Sequence, residues 1–181
     1  MPRERTHLRY QLYRSKARKL AGIHVNHLQR ELELSEPTAL DLSKVRFEPI
    51  DELALKACCL WGDPHFAWSE VTGWKTREPL ALDIAIWFDD QLCGLCFANP
   101  NKSRQRIRIV RLEGNRSVIH PLKNRIAPLA ILVIEHYAQL IGSTLIEVQQ
   151  PLAGAVFIYQ QLGFDFDSQG RLVKTLERLV S

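Results

Sequence analysis

Between residues 106 and 164, the pattern of apolar and polar positions predicts a strand, a long helix, a second strand and a short helix. In order, these elements span residues 106–113, 128–140, 144–149 and 153–162. Both strands are rich in β-branched residues. The long helix has Pro128 at its start and Gly142 just past its end, the positions that these two residue types favour. Two strands joined by a crossover helix are most simply parallel neighbours in one sheet.

Two apolar runs upstream predict a β-hairpin. Residues 82–88 (LDIAIWF) and 92–98 (LCGLCFA) lie on either side of the polar residues 89–91. This spacing is typical of two antiparallel strands joined by a tight turn. An antiparallel meander followed by a parallel crossover gives a mixed β-sheet with helices on both faces. We therefore predict an α/β fold.

The segment before the hairpin predicts a strand and then a helix. Residues 45–49 alternate as a first strand. Asp51 follows and is a good N-cap for a helix over residues 52–61. In that helix, one face would be shared by Leu53, Ala57 and Leu60.

Residues 7–34 predict two short helices that are interrupted at Gly22. Apolar residues recur at helical spacing in both halves, as Leu8, Leu12, Tyr13, Ala17, Leu20, Val25, Leu28 and Leu32. Basic residues surround the first stripe, and helical spacing would spread four of them around a solvent-facing arc: Arg14, Lys16, Arg18 and Lys19. A turn at residues 35–37 ends the segment.

Positive charge is concentrated in the same segment. Residues 1–30 contain eight Lys and Arg and one acidic residue, whereas the rest of the chain contains sixteen Lys and Arg and nineteen Asp and Glu. A basic amphipathic helix suits nucleic acid, an acidic protein partner or an acidic membrane surface. The alternative is a solvated face on a helix that packs against the body of the protein or against the second subunit of a homodimer.

The last predicted helix resembles the corresponding helix of the GNAT family of acyl-coenzyme-A-dependent N-acetyltransferases. Residues 155–164 match the pattern Ala-x-x-x-Tyr-x-x-x-Gly-Phe, and they follow the strand, crossover helix and strand in the family's order. The resemblance implies a GNAT-like domain over residues 45–181, preceded by a basic helical N-terminal arm over residues 1–37. It also implies acetyl-CoA as the cofactor, with Tyr159 as the acid that protonates the departing thiolate.

The family's phosphate-binding loop has the pattern Arg/Gln-x-x-Gly-x-Gly/Ala before the crossover helix. Counting along that helix puts Ala127 at the second small position, which the pattern allows, and Arg125 at the first, where glycine is usual. The resemblance implies cofactor contacts from Leu112, Lys123, Asn124, Arg125, Ile126 and Ala127. N–H groups at a helix start and nearby cations suit the phosphates of coenzyme A. Two alternatives remain open: a loop that binds the cofactor with altered geometry, and a domain that has lost it.

The alternation of residues 106–113 slips by one position. Ile107 and Ile109 share one face, whereas Val110 and Leu112 lie on the other. A β-bulge produces such a slip, and a strand buried on both faces also lacks clean alternation. In the GNAT family, a bulge in this strand frees a backbone N–H that polarises the thioester carbonyl.

Acetyl transfer to an amine needs groups that accept and donate protons. Glu113 is the only acidic residue between Lys102 and Pro128. It lies at the carboxyl end of a strand, which is where the ligand sites of parallel sheets open. We nominate it as the base, acting directly or through a water. The alternative is a loop carboxylate paired with Arg111 or Arg116. For Tyr159, the nominated acid, the alternative is a tyrosine that packs in the core.

Residues 65–79 contain Phe66, Trp68 and Trp74 among polar residues. In the GNAT arrangement this region helps to form the acceptor pocket, where aromatic walls would suit a flat or apolar group. Packing of both tryptophans on the sheet is the alternative.

The four cysteines indicate a reducing compartment. Cys93 and Cys96 have the CxxC spacing of metal and redox sites. In a strand, however, residues three apart point to opposite faces, so we expect core cysteines. No apolar run approaches the roughly 20 residues of a membrane span, and arginines interrupt any signal sequence at the N-terminus. We expect a cytoplasmic protein.

These observations predict an N-acetyltransferase that moves an acyl group from acetyl-CoA to an amine of unspecified identity. One alternative is a non-catalytic GNAT-like domain that binds nucleic acid or a protein partner through its basic arm. Another is an enzyme whose arm guides it to a nucleic-acid or acidic protein substrate. Tyr159 and the strand–helix–strand order favour the two enzymes, and Arg125 in place of glycine favours the non-catalytic domain.

Overall fold

The computed structural model describes residues 2–35, 40–117 and 119–177. Within them, the strands are β1 (Val45–Glu48), β2 (Leu82–Phe88), β3 (Gln91–Pro100), β4 (Arg106–Gly114), β5 (Leu145–Val148), β6 (Asp165–Phe166) and β7 (Leu172–Thr175). They form one sheet in the order β1-β2-β3-β4-β5-β7-β6. The β4–β5 pair is parallel and the other neighbouring pairs are antiparallel. The predicted boundary at residue 37 and the end of the chain, 178–181, lie outside the described residues.

Helices cover both faces of this sheet. The α-helices of the described residues are α1 (Pro2–Ser35), α2 (Glu52–Cys58), α3 (Glu70–Arg77), α4 (Ile126–Ile141) and α5 (Val156–Gln161). α1 and α4 contribute to one group of buried side chains, and α2 and α3 contribute to the other, on the opposite face. The predicted mixed sheet with helices on both faces is confirmed. Among these helices, none combines the length and the apolar character that crossing a membrane requires.

The crossover from β4 through α4 to β5 follows the prediction. Arg106 pairs with Leu145, so the two strands are parallel neighbours. α4 begins two residues before Pro128, which therefore lies in the first turn, where its missing N–H removes no helical hydrogen bond. The helix ends at Ile141, and its C-cap Gly142 has a φ of 81°, the left-handed conformation that glycine favours.

The N-terminal segment is one continuous helix, so the predicted break at Gly22 is wrong. Glycine in a helix costs only about 1 kcal/mol relative to alanine, and packing on both sides of Gly22 outweighs this cost. Ala17, Ala21 and Val25 are almost completely buried and join the core of the α4 face. α1 is therefore packed as a layer of the domain.

The predicted apolar stripes of α1 are only partly right: Ala17 and Val25 are buried, whereas the predicted leucines at positions 8, 12, 28 and 32 are exposed. The buried residues of the helix are Tyr10, Ala17, Ala21, Val25 and Gln29. Leu8 and Leu12 lie on the other side and are 58% and 62% exposed. Small side chains let a helix approach its neighbour closely, so the alanines rather than the leucines mark the contact with α4. The prediction gave more weight to the larger apolar residues and therefore assigned the wrong orientation of the helix about its own axis.

A buried carboxylate joins several of these elements. Asp83 on β2 is 2% exposed, and its oxygens lie 3.0 Å from the Arg18 guanidinium of α1 and 2.9 Å from the Lys75 ammonium of α3. It also accepts the backbone N–H of Ile50 at 2.7 Å. Burial lowers the pKa of Arg18, and Asp83 opposes that effect. A buried charge is tolerated because partners of this kind surround it.

A second arginine attaches α1 to the same part of the sheet. Arg14 donates to the carbonyl oxygens of Pro79 and Ala81 at 2.9 and 3.1 Å. The prediction that Arg14 and Arg18 face solvent is therefore wrong. Lys16 and Lys19 of the predicted arc are exposed, so the body of the protein uses part of the basic charge and the remainder faces outward.

The predicted capping of α2 is confirmed, but its predicted length and face are not. The Asp51 carboxylate accepts the Ala54 N–H at 2.9 Å. The α-helix ends at Cys58 rather than at residue 61. Its buried side chains are Ala54 and Cys58, whereas Leu53 and Leu60 are 65% and 85% exposed.

A β-bulge changes the direction of the CxxC pair. Ile86 pairs with Gly94 and Trp87 pairs with Leu92, so Cys93 is an extra residue in β3 and shifts the alternation by one. Cys93 and Cys96 therefore face the same core, and the prediction of opposite faces is wrong. Both thiols are free and fully buried, and burial raises the pKa of Cys93 to about 11. The described residues contain no group of side chains that is suited to hold a metal ion.

Replacing Asp83 by asparagine removes the charge that Arg18 and Lys75 share. We expect Asp83→Asn to lower the free energy of unfolding by about 3 kcal/mol or more, because breaking a buried ion pair leaves an uncompensated charge. Glu48→Gln is the matched control, since its pair with Arg46 is 45% exposed on both sides and exposed pairs contribute at most about 1 kcal/mol. Urea unfolding followed by tryptophan fluorescence measures both variants. Equal losses in the two would contradict the role given to Asp83.

Candidate active site

β4 and β5 separate at a defined point in the sheet. Their last paired residues are Ile109 and Val148, and the Gln149 N–H donates to the Ile109 carbonyl at 3.0 Å. β4 continues to Gly114, but within the described residues it forms no further backbone hydrogen bond toward β5 or the chain that follows it. We call this gap, between the second half of β4 and the segment after β5, the β4–β5 split.

A β-bulge lies at the start of this split. Phe97 pairs with Arg111 and Ala98 pairs with Ile109, so Val110 is an extra residue in β4. The bulge that the slip in alternation predicted is confirmed. Ile109 and Leu112 contact the core beneath α4, while Val110 packs on the core of the opposite face. Beyond the bulge, β4 keeps its buried faces and has an unpaired backbone edge toward the split.

The predicted cofactor residues lie together at the N-terminus of α4. Lys123, Asn124 and Arg125 are exposed in the preceding turn, and Asn124 has a φ of 66°, in the left-handed region. Arg125 is the N-cap residue and makes no side-chain capping hydrogen bond. First-turn N–H groups have no partner in their own helix, so those of Ile126 and Ala127 are suited to an anion. Leu112, the remaining predicted contact, lies on β4 beside the split.

The side chain of Ile126 does not point toward a ligand but packs against the sheet. Gly94 and Gly114 are cross-strand partners on β3 and β4, and Ile126 fills the space above both. A Cβ built on Gly94 would lie 2.5 Å from Ile126 Cγ2, and one on Gly114 would lie 3.3 Å from Ile126 Cγ1. The N-terminus of α4 therefore approaches the sheet more closely than any larger residue at Gly94 would allow. Sequence reasoning missed this contact, although a glycine inside a strand often marks a close approach.

A buried histidine anchors the loop before α4. His120 is 6% exposed, and its Nδ1 accepts the Leu122 N–H at 3.2 Å. Leu122 is completely buried and holds the loop against the core. Burial lowers the pKa of His120, so the ring is neutral at pH 7 and Nδ1 can accept this hydrogen bond. Sequence reasoning missed His120 because a single loop histidine produces no periodic signal.

Tyr159 lies in the core of the α4 face. Its side chain is 6% exposed, and its ring contacts the edge of Phe164 with centroids 5.5 Å apart. Burial, and to a smaller extent the nearby Cys96, raises the pKa of Tyr159 above its ordinary value. The hydroxyl is therefore protonated at neutral pH, which is the state that a proton donor needs. Its role as the acid stays a prediction.

Glu113 is held by the segment that precedes α3. Its carboxylate accepts the Trp68 indole N–H at 2.7 Å and the backbone N–H of Phe66 at 3.4 Å. The His65 backbone N–H is a third donor. The alternative pairing with Arg111 or Arg116 is wrong, because Arg111 pairs with Glu70 at 3.1 Å and the described residues give Glu113 no ion pair. Proton acceptance by Glu113 stays a prediction, and the carboxylate fixes this segment to β4.

The aromatic residues of this region pack on the sheet. Trp68 is 3% exposed, and the Trp74 ring lies against Phe97 with centroids 5.2 Å apart. The Arg111 guanidinium stacks over Trp74 at 4.4 Å and over Phe66 at 5.0 Å. These contacts match the packing alternative for the tryptophans. They also place a positively charged side chain next to Val110.

Two clefts open on the face that carries α2 and α3. The larger, of about 640 Å³, is lined by α1, α2, α3 and the residues before α2, with Ile50 and Lys75 among them. It includes no residue of β3, β4 or β5. The smaller, of about 190 Å³, includes Val110 and Gln149, the two residues at the start of the β4–β5 split. Of these two clefts, the smaller is the one that borders the split.

No family model and no curated protein sequence matches this chain. Solved structures do match its fold. For the aminoglycoside 6'-N-acetyltransferase from Enterococcus faecium, the match covers 75% of this chain and 99% of that protein, with 14% identity and a TM-score of 0.56. For an acetyltransferase of the GNAT family from Staphylococcus aureus, it covers 74% and 99%, with 7% identity and a TM-score of 0.56.

A third similar structure is the Bacillus subtilis acetyltransferase in complex with CoA. That match covers 74% of this chain and all of the other, with 19% identity and a TM-score of 0.54. At these identities the similarity is one of fold. The chain has the fold of the GNAT acetyltransferases, and the GNAT-like fold predicted from the sequence is confirmed.

Proposed function

We propose that the protein is an N-acetyltransferase that moves an acetyl group from acetyl-CoA to an amine. The observation that carries this proposal is the separation of β4 and β5 at a bulge, with the N-terminus of α4 beside the same gap. In a GNAT fold this arrangement offers an unpaired strand edge, helix N–H groups and cations to one elongated, anionic cofactor. The similar structures are acetyltransferases, one of them in complex with CoA, and this supports the same function.

The cofactor would lie along the α4 end of the β4–β5 split. Lys123 and Arg125 would contact its phosphates, together with the backbone N–H groups of Ile126 and Ala127. Arg125 stands where the family pattern has glycine, and its exposed side chain supplies charge instead of close backbone approach. Asn124 contributes the left-handed turn that brings the chain into the helix. The backbone of Leu112, on the open edge of β4, would polarise the thioester carbonyl.

In the proposed reaction, the acetyl group moves from the sulfur of coenzyme A to the nitrogen of the amine. The amine nitrogen bonds to the thioester carbonyl carbon, the C–S bond breaks, and the electron pair leaves with sulfur. The proton lost by the amine goes to Glu113 through a water, because N–H donors already occupy the carboxylate. The thiolate takes the proton of the Tyr159 hydroxyl, which is protonated at neutral pH as phenols ordinarily are.

A second candidate function is the binding of a polyanion by α1. Five exposed cations share one side of this helix: Arg5, Arg9, Lys16, Lys19 and Arg30. At about 100° per residue they fall within an arc of about 80°, opposite the buried stripe. The sequence has no acidic residue from position 5 to position 30, and in the described part of the chain none of the five forms an ion pair. We call this surface the basic strip of α1, and a phosphate backbone is its best complement.

Reversing the charge of the loop before α4 tests the cofactor site. We expect the double variant Lys123→Glu and Arg125→Glu to weaken acetyl-CoA binding about 100-fold or more, because each change removes a charge-assisted phosphate contact of roughly 1.5–3 kcal/mol. Arg116→Glu is the control, since Arg116 is exposed in the same crossing but precedes the helix by many residues. Isothermal titration calorimetry measures the affinities. Unchanged affinity in a folded double variant would exclude this binding site.

Removing one hydroxyl tests the proposed acid. Tyr159→Phe keeps the ring and loses the proton, so we expect turnover to fall about 10²–10⁴-fold while acetyl-CoA binding persists. Tyr137→Phe is the matched control: Tyr137 is fully buried and donates to the Leu80 carbonyl at 2.7 Å, away from the split. Turnover is followed as thiol release from acetyl-CoA with an amine that the wild type accepts. Equal turnover of wild type and Tyr159→Phe would leave Tyr159 a packing residue only.

Salt dependence tests the basic strip. Binding that displaces counterions weakens steeply as the salt concentration rises. We therefore expect the affinity for a single-stranded RNA probe to fall at least tenfold between about 50 and 200 mM salt. Lys16→Glu with Lys19→Glu should abolish this affinity and leave acetyl-CoA binding unchanged. The control, Lys56→Glu, changes an exposed lysine of α2. RNA affinity that survives the double change would assign the binding to another surface.

A further inference from the structure

The small cleft beside the β4–β5 split is lined by two positively charged side chains. It is lined on β4 by Arg106, Arg108 and Val110, with Asn99 on β3 and Gln149 after β5. Val110 is the bulged residue, and Gln149 makes the last backbone hydrogen bond before the strands separate. The cleft therefore leads from two arginines to the place where the transferred acetyl group would lie.

One carboxylate serves both arginines. The Nε atoms of Arg106 and Arg108 each lie 3.2 Å from the same oxygen of Glu147. The Glu147 side chain is only 9% exposed, so one negative charge faces two guanidinium groups and one positive charge is left over. Within the described residues, the terminal N–H groups of both arginines make no hydrogen bond to protein. A guanidinium with free N–H groups is suited to a carboxylate or a phosphate.

The cross-strand pairing of β4 and β5 balances the charge of only one of these arginines. Arg108 lies directly opposite Glu147 in the β4–β5 register, and this cross-strand pair is already neutral. Arg106 lies two residues earlier on the same face and adds a like charge beside Arg108. Its side chain is 23% exposed and that of Arg108 is 43% exposed, so solvent reaches the two guanidinium groups only in part. An anion in the cleft would balance the excess charge.

The cleft also contains an unused hydrogen-bond acceptor. Asn99 is the cross-strand partner of Arg108, and its side-chain oxygen is buried without a hydrogen-bond partner. A buried acceptor of this kind is unfavourable unless a donor reaches it. An N–H group of an amine is such a donor. The lining thus offers two cations and one acceptor in one small space.

Geometry sets the order of the two groups along the cleft. At about 3.3 Å per residue, the Cα atoms of Arg108 and Arg106 lie about 7 and 13 Å before the bulge at Val110, and both guanidinium groups meet at Glu147, which lies opposite Arg108. An anion held by the arginines would leave the other end of the molecule near the split. The volume of 190 Å³ is below the roughly 300–1,000 Å³ of pockets for drug-sized ligands. Only a small molecule, or the end of a larger one, fits.

We propose that the acceptor is a small amine that also bears a carboxylate or a phosphate, with its anionic group on Arg106 and Arg108 and its amine near Asn99 and the β4–β5 split. This assignment rests on the proposed acetyltransferase function and adds the class of acceptor. It follows from the two arginines, the single Glu147 and the unpartnered Asn99 oxygen around one cleft.

Matched pairs of amines test the acceptor class. γ-Aminobutyrate is compared with n-butylamine, and O-phosphoethanolamine with ethanolamine, so that each pair differs by the anionic group. We expect kcat/KM for thiol release from acetyl-CoA to be at least about tenfold higher for the anionic member of one pair or of both. The pair that shows the preference distinguishes carboxylate from phosphate. No preference in either pair would overturn the proposal.

Charge changes in the cleft test whether its arginines bind the anionic group of the acceptor. Arg108→Gln should raise KM for the preferred anionic amine by a factor about ten times or more larger than any change in KM for its neutral counterpart. Glu147→Gln should act in the opposite direction and lower that KM, because it frees both arginines. Arg46→Gln, the same change at an exposed ion pair on β1, is the control. Equal effects on anionic and neutral amines, or the same direction in Arg108→Gln and Glu147→Gln, would contradict the assignment.

Binding measurements separate this proposal from the proposed function. Calorimetry with γ-aminobutyrate and with O-phosphoethanolamine reports on the cleft whether or not acetyl transfer occurs, and calorimetry with acetyl-CoA reports on the loop before α4. If acetyl-CoA binds and neutral amines are acetylated without any anionic preference, the cleft proposal alone fails. If acetyl-CoA does not bind, the proposed function fails, and binding of an anionic amine that is lost in Arg108→Gln still supports the anion site. Absence of that binding overturns it.

Discussion

The carboxylate of Asp83 is the interaction on which the packing of the helices depends. It lies inside the protein on β2, and its partners come from α1, from α3 and from the backbone just before α2. Helices on opposite faces of the sheet are thus attached to one strand by one charge. Because the Asp83 charge is buried, its loss would leave Arg18 and Lys75 without their common counter-ion. The basic N-terminal helix is consequently part of the framework as well as a source of surface charge.

The candidate site depends on two irregularities in neighbouring strands. Extra residues at Cys93 and Val110 reverse the alternation of β3 and β4, so apolar side chains reach both cores on either side of each bulge. The second bulge falls where β5 ends its pairing with β4. Beyond that point the sheet has an open edge, with the N-terminus of α4 on one side and a charged cleft on the other. A regular sheet would place polar backbone groups in a ladder and leave none for a ligand.

Sequence patterns captured the features that depend on nearby residues. Glycine and proline marked the ends of α4, and the slip in alternation located the bulge at Val110. The bulge at Cys93 was invisible because residues 92–98 are buried on both faces, and a continuous apolar run contains no phase to lose. The rotation of α1 failed for a related reason: it is fixed by contacts of alanines with α4 and of Arg14 and Arg18 with β2. The donors to Glu113 come from residues more than forty positions away, which no local pattern encodes.

Near the start of α4, the small residues of this chain are Gly94 and Gly114 on the strands, and both are in close contact with Ile126. In the family pattern, small residues in the loop let backbone and phosphate approach each other. Here the loop carries Arg125 and Ile126, and the absent side chains are those of two strands. Small residues in the family's loop remove bulk between backbone and phosphate, whereas these two glycines remove bulk between the helix start and the sheet. The close approach of α4 is therefore a property of the backbone, which comparison of structures can match, and it leaves no small-residue motif in the loop for comparison of sequences to find.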